Sequence, residues 1–199
     1  FYPVQYEGAE SSKNVFYTGA APNQQAIPAT DYSLEELGVE TFALLGTDYV
    51  YPRTTNKILN QYLIDKGIPA SDIFVNYTPF GHSDWSKIVA DVVALGADGK
   101  KVGVISTING DANIGFYKEL AAAGVKADDI PVVAFSVGEE ELSGLDTTNL
   151  VGHLAAWNYF QSAESDLNSS FIKDWKATMG NKRVTNDPME AHVIGFNMY

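Results

Sequence analysis

Polar side chains follow three short apolar runs of the sequence. Each group offers hydroxyl, phenol, amide or carboxylate atoms: Thr47, Asp48 and Tyr49 after the run 41–46; Thr107, Asn109 and Asp111 at the end of 101–107; Ser136 and Glu139 at the end of 131–136. In an open parallel sheet the carboxyl ends of the strands meet at one edge, where ligands bind. We therefore expect these groups to share an edge able to form hydrogen bonds with a small polar ligand.

A structural interpretation competes at most of these positions. Asp48 and Asp111 have the residue type that caps a helix or turn. The hydroxyls of Thr107 and Ser136 suit hydrogen bonds to nearby backbone groups. Tyr49 has the position best suited to ligand binding, because a structural loop has no need of an aromatic side chain there.

The elements that would position these groups alternate along the chain. Predicted strands cover 41–46, 72–78, 101–107, 131–136 and 150–159. Predicted helices lie between them, over 54–66, from a Ser83 cap to Gly96, from an Asp111 cap to Gly124, and over the short segment "GEEELSGL". Apolar strands that alternate with amphipathic helices indicate an α/β fold, in which helices cover both faces of a parallel sheet.

The two flanks have a different pattern. The first 40 residues hold one predicted strand, "NVFYTG" (14–19), and one predicted helix near 23–37. The last part, 165–199, has a helical pattern with Phe171, Ile172 and Trp175 on one face. Neither flank has a complete sheet, so we interpret both as parts of a second lobe. The chain starts at Phe1 without an initiator Met, and we expect it to be a piece of a longer protein.

Composition excludes several classes of function. The net charge of −12 and a pI near 4.5 argue against nucleic-acid binding, which requires a basic surface. There is no Cys, which excludes disulfides, thiol catalysis and Cys metal sites. No apolar run approaches the roughly 20 residues of a membrane-spanning helix.

Motifs for catalysis are absent too. The sequence has no G-x-S-x-G, no G-x-x-x-x-G-K-[ST] and no G-x-G-x-x-G. His82, His153 and His192 lie in separate segments without metal-ligand spacing, and we interpret them as structural or exposed. The acidic run at 139–141 suits the first turn of a helix. We therefore predict a protein that is not an enzyme and that uses no metal and no cofactor.

Longer motifs resemble a known family. The segments are "FYPVQYEGAESSKNVFYTGAAPNQQAIPA" (1–29), "GTDYVYPRTTN" (46–56), "STINGDANIGFYKELAAAGV" (106–125), "FSVGEEEL" (135–142), "GHLAAWNYFQS" (152–162) and "NDPMEAHVIGFNMY" (186–199). Together they resemble the urea- and short-amide-binding branch of the type I periplasmic binding proteins, within the superfamily of branched-chain amino-acid receptors. Within this branch, the motifs are most similar to those of the substrate-binding proteins of urea ABC transporters.

The resemblance implies a fold of two Rossmann-like lobes with the ligand in the cleft between them. Residues 41–158 would be nearly all of the second lobe, a parallel sheet flanked by helices. Residues 1–40 would be the tail of the first lobe, and 159–199 the helices that return to it. The chain would then hold one nearly complete lobe and parts of the other.

The resemblance also implies site residues. Tyr49 matches the tyrosine that reaches the bound amide, and Tyr2 matches a motif that lines the cleft. Amide-sensing relatives resemble "YPTP" at this point, whereas this chain has Val4 and Gln5 in the last two positions. Val4 lacks the hydroxyl of the threonine, and Gln5 adds an amide. That departure favours a urea-like ligand with more N–H groups. The remaining implied ligand contacts are carried over from matching strand ends: Asn109, Asp111, Ser136 and Glu139.

The expected function is that of a solute receptor for an ABC importer. Its partners would be a small neutral ligand, urea or a short amide, and an ABC permease in the membrane. The expected location is the periplasm, either free or lipid-anchored. A cytoplasmic amide sensor that regulates gene expression and a branched-chain amino-acid receptor are the alternatives. Polar strand ends favour the first interpretation over an amino acid with an apolar side chain.

Overall fold

A five-stranded parallel sheet lies at the centre of the computed structural model, which describes residues 12–199. Its strands are β1 (Thr41–Thr47), β2 (Ile73–Thr78), β3 (Val102–Thr107), β4 (Val132–Ala134) and β5 (Leu154–Ala155). They lie in the order β2-β1-β3-β4-β5, and every neighbouring pair is parallel. The strand order reverses between β1 and β3, which is where open α/β sheets form a binding crevice. The predicted α/β class is confirmed.

Helices connect the strands and continue after them. They are α1 (Ala26–Glu35), α2 (Val50–Asp65), α3 (Ser86–Ala94), α4 (Ala112–Ala122), α5 (Glu139–Leu142), α6 (Asp166–Met179) and α7 (Asp187–Met198). Short 3-10 turns lie at Ala70–Asp72, Leu95–Asp98 and Thr147–Asn149. The helices predicted near 23–37 and within 165–199 are confirmed.

The core is divided between the two faces of the sheet. Side chains alternate along each strand, so Leu44 of β1 points to one face and Leu45 to the other. α1 and α2 cover the Leu44 face, where Leu59 and Leu63 of α2 are fully buried. The other face packs against α3 and α4, with Trp85 at the start of α3 almost completely buried. Helices on both faces leave the carboxyl ends of the strands as the accessible edge.

A close approach at Gly46 sets the start of α2 against the sheet. A Cβ atom on Gly46 would lie 2.6 Å from Pro52 Cβ and 2.6 Å from Thr107 Oγ1. Only a residue without a side chain fits between the first turn of α2 and the end of β3. The segment 47–51, which includes Tyr49, is thereby held against the neighbouring strand end.

Two predicted strands were wrong in whole or in part. Residues 14–19 form no strand, and the side chain of Phe16 is 73% exposed, so it contributes no face to a core. The strand predicted at 150–159 is reduced to the two residues of β5. Gly152 adopts a left-handed conformation (φ 94°), and this turn delays pairing with β4 until Leu154.

Two predicted helix caps were also wrong. α3 starts at Ser86, beyond the reach of Ser83, and the Asp84 carboxylate accepts from the backbone N–H and the hydroxyl of Ser86. Asp111 precedes α4, but its backbone is helical (φ −61°, ψ −18°) and its side chain accepts no capping hydrogen bond. A capping side chain requires an extended backbone, which Asp111 does not have.

Candidate ligand-binding site

A cavity of about 450 Å³ opens at the carboxyl ends of β1, β3 and β4. One wall follows these strand ends: Tyr49, Val50, Tyr51, Asn109, Gly110, Phe135, Ser136 and Glu141. The opposite wall comes from segments before and after the sheet: Ala20, Gln25, Trp157, Asn186, Asp187 and Pro188. The volume lies in the ordinary range for small-molecule sites.

Tyr49 occupies the N-cap position of α2 with an extended backbone and is half-buried. Its ring packs 5.0 Å from the Phe80 ring and 6.1 Å from the Tyr51 ring, measured between centroids. Burial raises the pKa of the Tyr49 phenol above its ordinary value. The hydroxyl therefore stays protonated at neutral pH and can donate a hydrogen bond into the cavity.

Asp48, next to Tyr49, points elsewhere. Its carboxylate is exposed and pairs with the Arg53 guanidinium, which holds the pKa of Asp48 below its usual value. Its backbone N–H donates to the carbonyl of Thr78 at 2.7 Å, which ties the loop to β2. Asp48 is neither a helix cap nor part of the cavity wall.

Asn109 is held by two neighbouring groups. Its backbone N–H donates to Thr47 Oγ1 at 2.9 Å, and its Nδ2 donates to the Thr107 carbonyl at 2.8 Å. The Thr107 hydroxyl donates to the Leu45 carbonyl at 3.0 Å, as the structural interpretation of that residue predicted. With its amide nitrogen engaged, Asn109 has its Oδ1 atom left as a hydrogen-bond acceptor.

Gln25 approaches the cavity from α1's N-terminal side and is 8% exposed. Its Nε2 donates to two carbonyls, that of Ala156 at 2.6 Å and that of Phe135 at 3.3 Å. Both donors of this amide are thus used, which fixes its orientation. No described residue donates to its Oε1 atom.

Glu141 and Trp157 form a further part of the wall around Gly138. Glu141 Oε2 accepts from the Gly138 backbone N–H at 2.9 Å, the one of the two hydrogen bonds of a capping box that a glycine at the N-cap position can make. A Cβ atom on Gly138 would lie 2.7 Å from Trp157 Cζ3, so the indole packs directly on the glycine backbone. Gly138 therefore provides the space that lets Trp157 line the cavity.

Asp187 starts α7 and is 9% exposed. Its Oδ2 accepts from the backbone N–H groups of Asn158 at 2.8 Å and Tyr159 at 3.2 Å. Burial raises the pKa of Asp187, while these two N–H groups oppose that rise. The charge of Asp187 in turn adds to the burial that raises the pKa of Glu190.

Four wall residues share one arrangement. In each, one polar atom is tied to the backbone and the remaining oxygen has no donor among residues 12–199: Gln25 Oε1, Asn109 Oδ1, Glu141 Oε1 and Asp187 Oδ1. The Tyr49 hydroxyl is a donor on the same cavity. Fixed acceptors on residues that line an open volume suit a ligand that carries several N–H groups.

The predicted site residues fall into three groups. Tyr49, Asn109 and Ser136 lie together in the cavity wall. Asp111 is exposed beside it, and Glu139 lines a second, mostly apolar cavity, where its Oε1 accepts from the Ser162 N–H at 3.2 Å. Tyr2 and Gln5 lie outside the described residues. Their ligand contacts stay predictions.

Sequence reasoning did not single out Gln25, Glu141, Trp157 or Asp187. All four lie within the motifs that carry the family resemblance, which is the signal that could have identified them. Glu141 was interpreted as an ordinary acid of a helix first turn. Its capping role is real, and its place in the wall comes in addition to it.

No helix between residues 12 and 199 combines the length and apolar character needed to cross a bilayer. Over the same range, no three His, Cys, Asp or Glu side chains are grouped as metal ligands.

Solved structures similar to this chain are solute receptors. An ABC transporter substrate-binding protein from Sphaerobacter thermophilus has a TM-score of 0.72 and 19% identity, over 89% of this chain and 47% of its own. A solute-binding protein from R. palustris in complex with 4-hydroxybenzoate has a TM-score of 0.71 and 19% identity, over 91% and 49%. A leucine-, isoleucine-, valine-, threonine- and alanine-binding protein from Brucella ovis has a TM-score of 0.66 and 14% identity, over 92% and 44%.

At these identities the likeness establishes the fold, and this chain spans less than half the length of each structure. The family comparison covers the whole given sequence, because the model for the periplasmic binding protein domain matches residues 1–199. The sequence motifs and the parallel sheet agree with that match, as does the cavity at the point where the strand order of the sheet reverses. This chain belongs to the periplasmic binding protein domain family.

Proposed function

We propose that this chain is part of the solute receptor of an ABC importer and that it binds urea or a short amide in the cavity beside Tyr49. The receptor would be non-enzymatic and periplasmic, and it would deliver its ligand to a permease in the membrane. The similar structures named as ABC transporter components support the role of a solute receptor. The ligand class rests on the cavity.

The observation that carries the proposal is the set of four unpaired acceptor oxygens in the wall. Once closure of the cleft excludes water, an acceptor left without a donor would cost roughly 1–3 kcal/mol, so a ligand that donates to these oxygens is favoured over one that does not. Urea offers two NH₂ groups and one carbonyl. The NH₂ groups match the acceptors at Gln25 and Asn109, and the carbonyl matches the Tyr49 hydroxyl.

Charge separates this ligand class from the 4-hydroxybenzoate bound by one of the similar proteins. That ligand is an anion, which Glu141 and Asp187 would repel. The described cavity wall contains no Lys, Arg or His to offset that repulsion, and the sequence of residues 1–11 contains none either. A neutral amide meets no such barrier.

The lobe assignment belongs to the same proposal. Residues 41–158 would form most of one lobe, with 1–40 and 159–199 as parts of the other. Asp187 and Gln25 would then face Tyr49 across the cleft. Closure around the ligand would exclude water and present a changed surface to the permease, as hinge motions do in periplasmic binding proteins.

Calorimetric titration of the full-length protein with urea, acetamide and leucine in parallel tests the proposal. We expect saturable binding of urea or acetamide at least about tenfold tighter than that of leucine, a difference of about 1.4 kcal/mol. Preference for leucine, or no binding of either amide, would contradict it.

A further inference from the structure

We propose that the same cavity binds planar amidinium and guanidinium cations more tightly than it binds their neutral isosteres, urea and acetamide. This inference rests on the proposed function, because it concerns the ligand class of that site. It assigns Glu141 and Asp187 as the residues that recognise the charge. Each has one oxygen tied to backbone N–H groups and one without a donor among the described residues.

No cationic side chain among residues 12–199 pairs with either of these two carboxylates. Glu140, next to Glu141, pairs with Arg183 at 3.3 Å and accepts from Asn186 Nδ2 at 3.2 Å. The Asn186–Glu140 contact also brings the start of α7, with Asp187, beside the start of α5, with Glu141.

A buried neutral acceptor completes the arrangement. Gln25 is more than nine-tenths buried, lines the same wall, and uses both of its amide hydrogens, so its Oε1 atom remains as an acceptor. Two anionic acceptors and one neutral acceptor complement a planar head that carries N–H groups in several directions. Guanidinium has the planar shape of urea, with an N–H donor group where urea has its carbonyl oxygen.

Aromatic walls add a second attraction for cations. Trp157 and Tyr49 both line the cavity, and the faces of such rings attract a cation within about 6 Å of the ring centroid. Desolvation strengthens this attraction as well as that of the carboxylates. The net charge of −12 adds a long-range field that raises the local concentration of cations.

Calorimetry on the full-length protein at constant ionic strength tests the inference with two isosteric pairs, guanidinium against urea and acetamidinium against acetamide. Guanidinium stays below about 50 mM, far under the molar concentrations at which it unfolds proteins. We expect each cation to bind about tenfold more tightly than its neutral isostere. In Glu141→Gln and in Asp187→Asn, the ratio of cation to neutral affinity should fall toward one. Asp129→Asn removes one exposed carboxylate outside the cavity wall and should keep the ratio.

The outcomes separate this inference from the proposed function. Tighter cation binding that depends on Glu141 and Asp187 supports it. Binding of urea or acetamide without a preference for the cations overturns it and leaves the proposed function standing. Binding of leucine or 4-hydroxybenzoate, with no binding of any of the four probes, overturns both. A preference that persists in both carboxylate variants overturns the assignment of Glu141 and Asp187.

Discussion

The hydroxyl of Thr47 accepts a hydrogen bond from the backbone N–H of Asn109 at 2.9 Å. Thr47 ends β1 and is fully buried, while Asn109 follows the end of β3. The bond therefore crosses the point at which the strand order of the sheet reverses. It holds the loop of Asn109 against the loop of Tyr49, and both residues line the cavity.

Replacing Thr47 with Val keeps the shape of the side chain and removes this acceptor. The Asn109 N–H then lacks its partner, which should cost about 1–3 kcal/mol of stability and weaken binding of urea or acetamide. Thermal unfolding is the suitable assay, because urea and guanidinium are candidate ligands. Thr41→Val is the matched control, since Thr41 is also buried in β1 and its hydroxyl bonds no described residue. Equal effects of the two variants would contradict the role given to Thr47.

Gly46 should not tolerate a side chain. In Gly46→Ala the new methyl group would lie 2.6 Å from both Pro52 Cβ and Thr107 Oγ1, so the first turn of α2 must move. We expect a loss of about 1–3 kcal/mol in stability, measured by the melting temperature, with weaker ligand binding. Gly195→Ala, in α7, meets only Thr18 at 3.7 Å and should be neutral or stabilising. A fully stable Gly46→Ala protein would rule out the close approach.

The Tyr49 hydroxyl should contribute to affinity. We expect Tyr49→Phe to bind urea or acetamide about 5- to 30-fold more weakly, which corresponds to about 1–2 kcal/mol, because the ligand carbonyl loses its donor. Tyr32→Phe removes a phenol that is 48% exposed on α1, outside the cavity wall, and should leave affinity unchanged. Unchanged calorimetric affinity in Tyr49→Phe would remove this residue from the site.

His153 should make stability depend on pH. Its Nδ1 accepts the Val132 N–H at 3.1 Å, and burial lowers the pKa of the imidazole from its ordinary 6.5. Because the unfolded chain takes up this proton first, the contribution of His153 is complete above pH 6.5. It is lost as the pH falls below that value toward the pKa of the folded state.

His153→Asn can place an amide oxygen near the position of Nδ1 but does not titrate. The difference in melting temperature between wild type and this variant should therefore shrink as the pH falls from 7.5 to 5.5. Other ionisable groups are common to both proteins and cancel in the comparison. A difference that stays constant or grows over this range would show that His153 is not held neutral.

The alternation of strands and helices could be predicted because apolar periodicity reports burial directly. Leu59 and Leu63, for example, lie one helical turn apart and are both fully buried. Backbone conformation at helix ends is not visible in residue types. Asp111 has the right chemistry for a cap, yet its helical backbone prevents it from acting as one. Likewise, "NVFYTG" has the composition of a strand but does not pair with the sheet.

The cavity wall could be anticipated only where it follows the strands. Tyr49 and Asn109 come directly after β1 and β3, so the rule for parallel sheets locates them. Gln25 and Asp187 belong to segments far from these strands in sequence. Their place in the wall depends on long-range contacts, such as those of Gln25 with Ala156 and of Asp187 with Asn158. No local pattern reports such contacts.

A crystal structure of the full-length protein with urea or acetamide bound would test the central claim most directly. We predict ligand N–H groups at about 2.7–3.2 Å from Gln25 Oε1 and Asn109 Oδ1, with the ligand carbonyl oxygen at the same range from the Tyr49 hydroxyl. A ligand bound elsewhere, or one that directs its carbonyl toward these acceptors, would contradict the account.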